Sequence, residues 1–477
     1  MRPSSNQGNK KEQQNRRPVK RGRAAKRIRL WPLAILLVLL VVIIAGQFAA
    51  GENAGWRNLL GLNPGSATEP QETKATTENP QVTSIPETSL AATATPSPSP
   101  SPTPIPEIRV TLIAAGDILM HKPVIDGGLV AGTKDQYDFI PIFQYVRPIF
   151  QEASLTLANY EGTLAGPPYS GYPFFSAPDA IADALADTGI KVLWTANNHT
   201  IDKGLDGVIR TAQVFRDKGF QVVGTRPDEA SPADAVVDVN GIKLGLMAYT
   251  FETIGTPTQK TLNGNKMPAA ADPLINSFNP YRDDSLAKDM QAMLERVEVL
   301  RGQGAELICI SLHWGNEYNT RSSAYQRKMA QQLADAGVEL IFGHHPHVLQ
   351  EIDVLTSQTT GKPTLVYYSM GNFISNQNFD TGNSAGNAQD GLIARVSLLK
   401  NAEGVRIELG EYIPTHVVRV AKGSGTQHLV VPVLPGLESP AAYQTTPNEM
   451  SASLARITAI LGESPGTVEI PVRQAAE

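Results

Sequence analysis

"IFGHHPHVLQ", residues 341–350, sets three histidines within four positions of each other, in a chain of 477 residues that has eight in all. The apolar run just before them, "VELIFG" (338–343), reads as a buried strand. Such a strand delivers His344, His345 and His347 to its C-terminal end, the edge at which α/β proteins bind ligands. Imidazoles gathered there are natural metal donors. Three from one loop cannot surround an ion alone, so further donors must come from elsewhere in the chain.

Five other segments supply candidates, each just after an apolar run. "AAGDILMH" offers Asp117 and His121, and "TLANYEGTL" offers Asn159 and Glu161. "TANNHTIDKG" offers Asn197, Asn198, His199 and Asp202, and "SLHWGNEY" offers His313 and Glu317. "YSMGNF" adds Asn372. Together with the opening stretch these segments hold six of the eight histidines. A two-metal hydrolytic centre needs a carboxylate that bridges, imidazoles that hold each ion and room for water. Asp, Glu, Asn and His suit Mn, Fe or Zn, and the absence of thiolates argues against a structural Cys-rich zinc site. The single cysteine, Cys309, excludes an intrachain disulfide.

From residue 107 short apolar runs alternate with amphipathic stretches. Strands are expected at 191–199, 220–225, 242–250, 305–315, 338–345 and 364–373. Helices are expected at 178–189, 204–219, 283–304 and 322–337. Alternation at this pace indicates α/β layers. "GLIARVSLLK" (391–400) and "GVRIELGEYIPTHVVRV" (404–420) read as antiparallel strands closing a sheet. The domain is expected to span 107–420, with a less ordered Pro/Gly/Ser-containing extension over 421–477.

The N-terminal part is of another kind. Residues 1–29 carry eleven Lys/Arg against Glu12, and residues 30–50 carry no charge. This reads as a basic cytoplasmic tail and a single transmembrane anchor with the C-terminal domain outside the cell. A cleaved signal peptide is the competing reading, but the charged region and apolar run are both long for one. Residues 51–106, rich in Pro, Ser and Thr, read as a disordered linker holding the domain clear of the membrane. Setting aside the 11 basic and 1 acidic residues leaves 30 Lys+Arg against 45 Asp+Glu. That balance argues against nucleic acid as a partner.

The ordered set "GDILMH", "NYEGTL", "ANNHTIDKG", "SLHWGNEY", "GHHPHVLQ" and "YSMGNF" resembles the CapA family of bacterial capsule and poly-gamma-glutamate synthesis, over about residues 110–380. That family is in turn similar to the calcineurin-like metallophosphoesterases. The resemblance implies a four-layer sandwich, two mixed sheets flanked by helices, with divalent metal ions at the sheet ends. It makes Asp117 a ligand of one metal, Glu161 the bridging carboxylate and Asn198 a ligand of the second. His313, His345 and His347 complete the shell, and His199 matches the acid/base histidine. His121, Asn159, Asn197, Asp202, Glu317, His344 and Asn372 stand as further metal or substrate contacts. One departure is plain: the phosphoesterases place aspartate and histidine one residue apart, whereas three residues separate Asp117 from His121.

Structural readings compete at several positions. Asn197 and Asn198 are also suited to a turn or a helix cap. Ser369 lacks the flanking glycines of a nucleophile elbow. Trp194, Trp314 and the "YPFF" at 172–175 read first as packing. Two functions remain open: a metal-dependent hydrolase acting on a phosphoester or a gamma-glutamyl polymer, and an accessory protein that uses bound cations to hold or guide an anionic polymer. Either would work at the membrane, beside other membrane-bound capsule synthesis proteins.

Overall fold

The computed structural model describes residues 106–423, 425–462 and 467–468. The basic start, the apolar 30–50 segment and the Pro/Ser/Thr-rich stretch up to 105 lie outside the described residues. Among the described residues, no helix is long and apolar enough to cross a membrane.

Strands β1 (Ile108–Leu119), β2 (Leu155–Glu161), β3 (Val192–Trp194) and β4 (Gln221–Val223) lie side by side and parallel. The chain then builds a second sheet. There β5 (Ala235–Val239) is antiparallel to β6 (Ile242–Phe251), while β7 (Thr253–Thr256), β8 (Gln259–Leu262) and β9 (Asn265–Lys266) form a small sheet of their own. Next, β10 (Ser277–Phe278), β11 (Leu307–His313) and β12 (Leu340–His344) extend the second sheet in parallel around β6. Its edge is β13 (Ile352–Thr356), antiparallel to β14 (Pro363–Tyr367). Strand β15 (Asn372–Ile374) returns to the first sheet, parallel to β1. There β16 (Asp390–Asn401), β17 (Gly404–Lys422) and β18 (Gly425–Pro432) continue antiparallel, and β19 (Thr467–Val468) pairs with β17.

Period-two alternation assigns each strand's two faces. On β1, Val110, Leu112 and Ala114 enter the core between the two sheets, while Ile113 and Ala115 face outward. On β11, Leu307 and Cys309 point inward, and Ile308, Ile310 and Leu312 point the other way. Helices cover both outer faces. α1 (Lys122–Gly127), α2 (Arg147–Gln151), α3 (Ala180–Thr188) and α4 (Gly204–Asp217) pack on the first sheet through residues such as Phe150, Leu185 and Phe215. α5 (Asp283–Gly302) and α6 (Ala324–Asp335) pack on the second through Met293, Val297, Met329 and Leu333. The fold is mixed α/β, ordered helix, sheet, sheet, helix.

The segment after 420 differs from its expected character. β18 is a full partner of β17, and it is followed by α7 (Val433–Glu438) and α8 (Pro447–Leu461). The continuous, fully buried apolar run of "HLVVPV" and the buried Met450 and Ile457 outweigh the Pro and Ser content that suggested an extension. Arg456 adds a two-pronged contact to buried Asp390, with Nε to Oδ2 at 2.6 Å and Nη2 to Oδ1 at 2.9 Å.

Three glycines stand directly before residues that carry the site: Gly116 before Asp117, Gly343 before His344, Gly371 before Asn372. A β-carbon on Gly116 would overlap the Gly371 carbonyl, and one on Gly343 would overlap the carbonyl of Tyr368. The backbones therefore approach closely because no side chain intervenes. Gly116→Ala should lower unfolding stability by about 1–3 kcal/mol, because a rigid backbone oxygen must move. Gly302→Ala, at a helical position with nothing within 4 Å of the new carbon, should raise it by about 0.4–1 kcal/mol. Urea midpoints of the two variants check the contrast.

Candidate metal centre

Parallel strands of both sheets end at one place. Asp117 lies near the C-terminal end of β1, Glu161 is the last residue of β2, His313 the last of β11 and His344 the last of β12. Asn197 to His199 follow β3, and Asn372 opens β15. At Asp117 the register of β1 slips against β2 and again against β15. Such a bulge re-aims a side chain. His345 and His347 have φ of 96° and 57°, left-handed conformations that cost free energy and concentrate at functional sites.

All of these side chains are buried. The Glu161 carboxylate is the most unusual, for neither of its oxygens has a hydrogen-bond partner. Its Oε1 lies 3.6 Å from His313 Nε2 and 3.7 Å from His347 Nε2. Those separations are too long for hydrogen bonds. Two donor sets converge on it: Asp117, Glu161 and His313, and Glu161, His345 and His347, each with its ligand atoms within 4.8 Å of one another. His345 Nδ1 and His313 Nδ1 are likewise buried without partners. Oxygen and imidazole donors that converge and lack partners fit a divalent cation, and Glu161 belongs to both sets.

The neighbours act on this centre rather than fill it. Asp117 accepts from Asn159 Nδ2 at 2.8 Å, His344 Nδ1 at 3.0 Å and the His345 backbone N–H at 3.2 Å. His347 Nδ1 lies 3.2 Å from Asp117 Oδ2 and 3.2 Å from Asn372 Oδ1, which turns its Nε2 toward Glu161. Asn198 Oδ1 is 3.0 Å from His313 Nε2. His199 Nδ1 meets Asp202 Oδ2 at 2.8 Å, and the Phe175 N–H donates to the same oxygen at 2.7 Å. Asp202 is thus the orienting partner of His199.

Other candidates fall away from the donor sets. Asn197 spends its amide on backbone groups, within its turn by donating to Thr195 O and accepting from the His199 N–H, and across to β2 by donating to Tyr160 O. Glu317 is exposed and outside both sets. His121 Nδ1 accepts from the Asn376 N–H at 3.2 Å, and its ring packs edge-on against Phe175. Ser369 donates to Val348 O at 2.7 Å, a structural role. Trp194 and Trp314 are core residues. Sequence reasoning took Phe175 as packing and missed its N–H; a backbone donor carries no signal in residue type.

Burial and charge set the protonation. Burial pushes Glu161 up to about 7, against the pull of His347. Burial also opposes ionisation of Asp117, but the hydrogen bonds from His344 and His347 hold it well below the usual carboxylate range. His313 and His345 are driven well below the usual imidazole range, chiefly by burial, and so remain neutral, as ligands must. For His347 burial is overcome by Glu161 and Asp117, and it rises to about 9.

Residues 111–377 match the family model described as Bacterial capsule synthesis protein PGA_cap. The chain belongs to this family. It is 27% identical over 277 residues to "Capsule biosynthesis protein CapA" of Bacillus anthracis, covering 56% of this chain and 60% of that one. It is 28% identical over 301 residues to "PGA biosynthesis protein CapA" of Bacillus subtilis (strain 168), covering 61% and 68%. The match thus spans 60% to 68% of the length of these curated relatives, less than two thirds of the first. Among solved structures, the calcineurin-like phosphoesterase YfkN from Bacillus subtilis aligns at 14% identity with a TM-score of 0.35, covering 73% of this chain and 100% of that one.

Cation uptake at this site must displace protons, which gives it a pH dependence of definite sign. At pH 6 both Glu161, at about 7, and His347, at about 9, are protonated. At pH 8 Glu161 is ionised, so a proton no longer competes there. Affinity for Mn²⁺ should therefore rise between pH 6 and 8, by about tenfold per pH unit for each proton displaced. Calorimetric titrations in buffers of different ionisation enthalpy measure both affinity and proton release. Glu161→Gln should weaken binding and flatten its pH dependence.

Proposed function

We propose that the chain is a metal-dependent hydrolase of capsule or poly-gamma-glutamate biosynthesis, with a metallophosphoesterase-like domain anchored outside the cell membrane by residues 30–50 and a linker over 51–106. The observation that carries this reading is Glu161, buried, without hydrogen bonds, and shared by two donor sets. Two divalent ions, Mn, Fe or Zn, fit a shared carboxylate with oxygen and imidazole donors on either side. Asp117, Glu161 and His313 would hold one ion and Glu161, His345 and His347 the other, and Asn198, whose Oδ1 lies 3.0 Å from His313 Nε2, would add an oxygen donor. Asn159, His344 and Asn372 hold Asp117 and His347 in place. Bound divalent cations supply Lewis acidity toward an anionic oxygen and lower the pKa of water.

The chain's own residues do the rest. Asp202 accepts from His199 Nδ1 and so fixes the tautomer, leaving Nε2 as the atom that exchanges a proton with a leaving group. The Phe175 and His121 rings narrow access around His199, with Phe175 to His199 centroids 4.7 Å apart. The substrate is a phosphoester or a gamma-glutamyl bond of an anionic polymer. A cation pair answers the repulsion such a polymer meets from an acidic domain. The accessory, non-catalytic reading draws support from His121, whose Nδ1 is taken by the Asn376 N–H, so that the close Asp-His pair of a phosphoesterase is not assembled.

Two variants test this reading. His345→Gln with His347→Gln should strip metal while the fold survives, read by elemental analysis and thermal unfolding. His199→Ala should keep metal and fold but lose about 10²–10⁴-fold in turnover on whichever phosphoester or gamma-glutamyl substrate the native protein cleaves. Metal and turnover are measured on the same preparation. Full turnover in His199→Ala removes the acid/base role. Absence of any turnover in native protein, with capsule formation still dependent on His199, leaves the accessory reading. Protease added to intact cells should release a fragment that begins within 51–106, and complete protection until lysis would overturn the topology.

A further inference from the structure

The stretch "SLHWGNEY" ends in Tyr318, which the proposed chemistry leaves without a task. Its backbone has a φ of 62°, a conformation rarely adopted by a bulky side chain. The Tyr318 N–H donates to Pro346 O at 2.8 Å, inside the His345–His347 turn. This sets the half-buried ring beside His347, with centroids 6.3 Å apart. Gly382 lies against the ring, where any β-carbon would overlap it. The hydroxyl is oriented as well. It accepts from Gln377 Nε2 at 3.1 Å, and an amide nitrogen only donates. The Gln377 amide is in turn oriented by Asn372, whose Nδ2 donates to Gln377 Oε1 at 2.8 Å. Among the described residues the Tyr318 hydroxyl makes no other hydrogen bond, so its own proton is left to be donated. Burial and the nearby carboxylates of Glu317 and Glu161 raise the phenol's pKa, so it keeps that proton at neutral pH.

We infer that Tyr318 is a substrate-contacting donor whose hydroxyl gives a hydrogen bond to an anionic oxygen held at the Glu161–His347 centre. The inference rests on the reading of that centre as a metal site, since cations are what bring an anion to a site that holds two carboxylates, Asp117 and Glu161. The ligand chemistry is a phosphoryl or carboxylate oxygen. A purely structural Tyr318 would act differently: through Gln377 and Asn372 it would steady His347, and its loss would be felt by the metal.

The test compares native chain and Tyr318→Phe by calorimetry, first with Mn²⁺ alone, then with inorganic phosphate or glutarate added to the Mn²⁺-loaded protein. A donor to a charged oxygen is worth about 10–100-fold in affinity. The expected result is unchanged Mn²⁺ affinity with a loss of that size for phosphate, glutarate or both; a loss confined to one names the oxygen. Weakened Mn²⁺ binding in Tyr318→Phe overturns the inference in favour of a positioning role. Equal anion affinity in the two proteins, or no anion binding by loaded native protein, overturns it outright. A native chain that takes up no Mn²⁺ fails one step earlier and removes the metal reading itself.

Discussion

An ionised carboxylate withdrawn from water costs several kcal/mol unless opposite charge or hydrogen bonds answer it. Glu161 has been withdrawn and has no hydrogen bond at either oxygen. The two imidazoles nearest it stand off at 3.6 and 3.7 Å. A chain optimised only for stability would place a serine, an asparagine or a backbone N–H there. This one instead surrounds the carboxylate with side chains whose own free atoms point the same way. Among its neighbours His347 pulls Glu161 toward the ionised form, while Asp117, which accepts from three donors and is kept charged by His344 and His347, adds to the cost.

The geometry follows from sheet topology. β1, β2 and β3 are parallel, as are β6, β11 and β12, so the C-terminal ends of each trio share an edge, where loops are free to carry chemistry. Packing the two sheets face to face brings Asp117 and Glu161 of one against His313 and the His344–His347 turn of the other. Neither sheet holds a complete donor set. The apolar core between them therefore determines the separation of ligand atoms at the edge, and a loss of packing there is transmitted to the site.

This division explains what could be read from the chain alone. Strand ends were legible because "VELIFG" and "AELICISL" are mostly apolar stretches that stop at histidines, and side chains at their ends meet in space. Helices α3 to α6 were legible from their periodicity; Ser323 and Gln326 even form the reciprocal cap of α6. Partner choice was not legible. Nothing in "TANNHTIDKG" distinguishes Asn197, which is spent on backbone groups, from Asn198, which reaches His313. Asp202 and Glu317 are equally acidic in sequence, yet one orients His199 and the other lies in solvent. Such differences depend on how each side chain turns within the folded loop, as Asp202 does toward His199, and on which distant segment it meets, as Asn198 meets His313.

The C-terminal region shows how far the site's support extends. Gly371, just before Asn372, bridges to Gly391 on β16, and a β-carbon on Gly391 would overlap the Asn372 carbonyl. The residue before Gly391 is Asp390, buried, with His416 Nδ1 at 2.7 Å, Ser453 Oγ at 2.7 Å and the Arg456 guanidinium on both oxygens. Charge-assisted bonds of this kind are among the stronger ones available. Losing one partner leaves a buried charge exposed to the full desolvation cost. α8 is thereby latched to the strand that backs Asn372, and Asn372 in turn directs His347 toward Glu161. A segment whose composition suggests a loose tail is joined to the centre through one carboxylate and two glycines. The placement of a histidine in the candidate metal centre thus depends on residues more than 100 positions away in the chain.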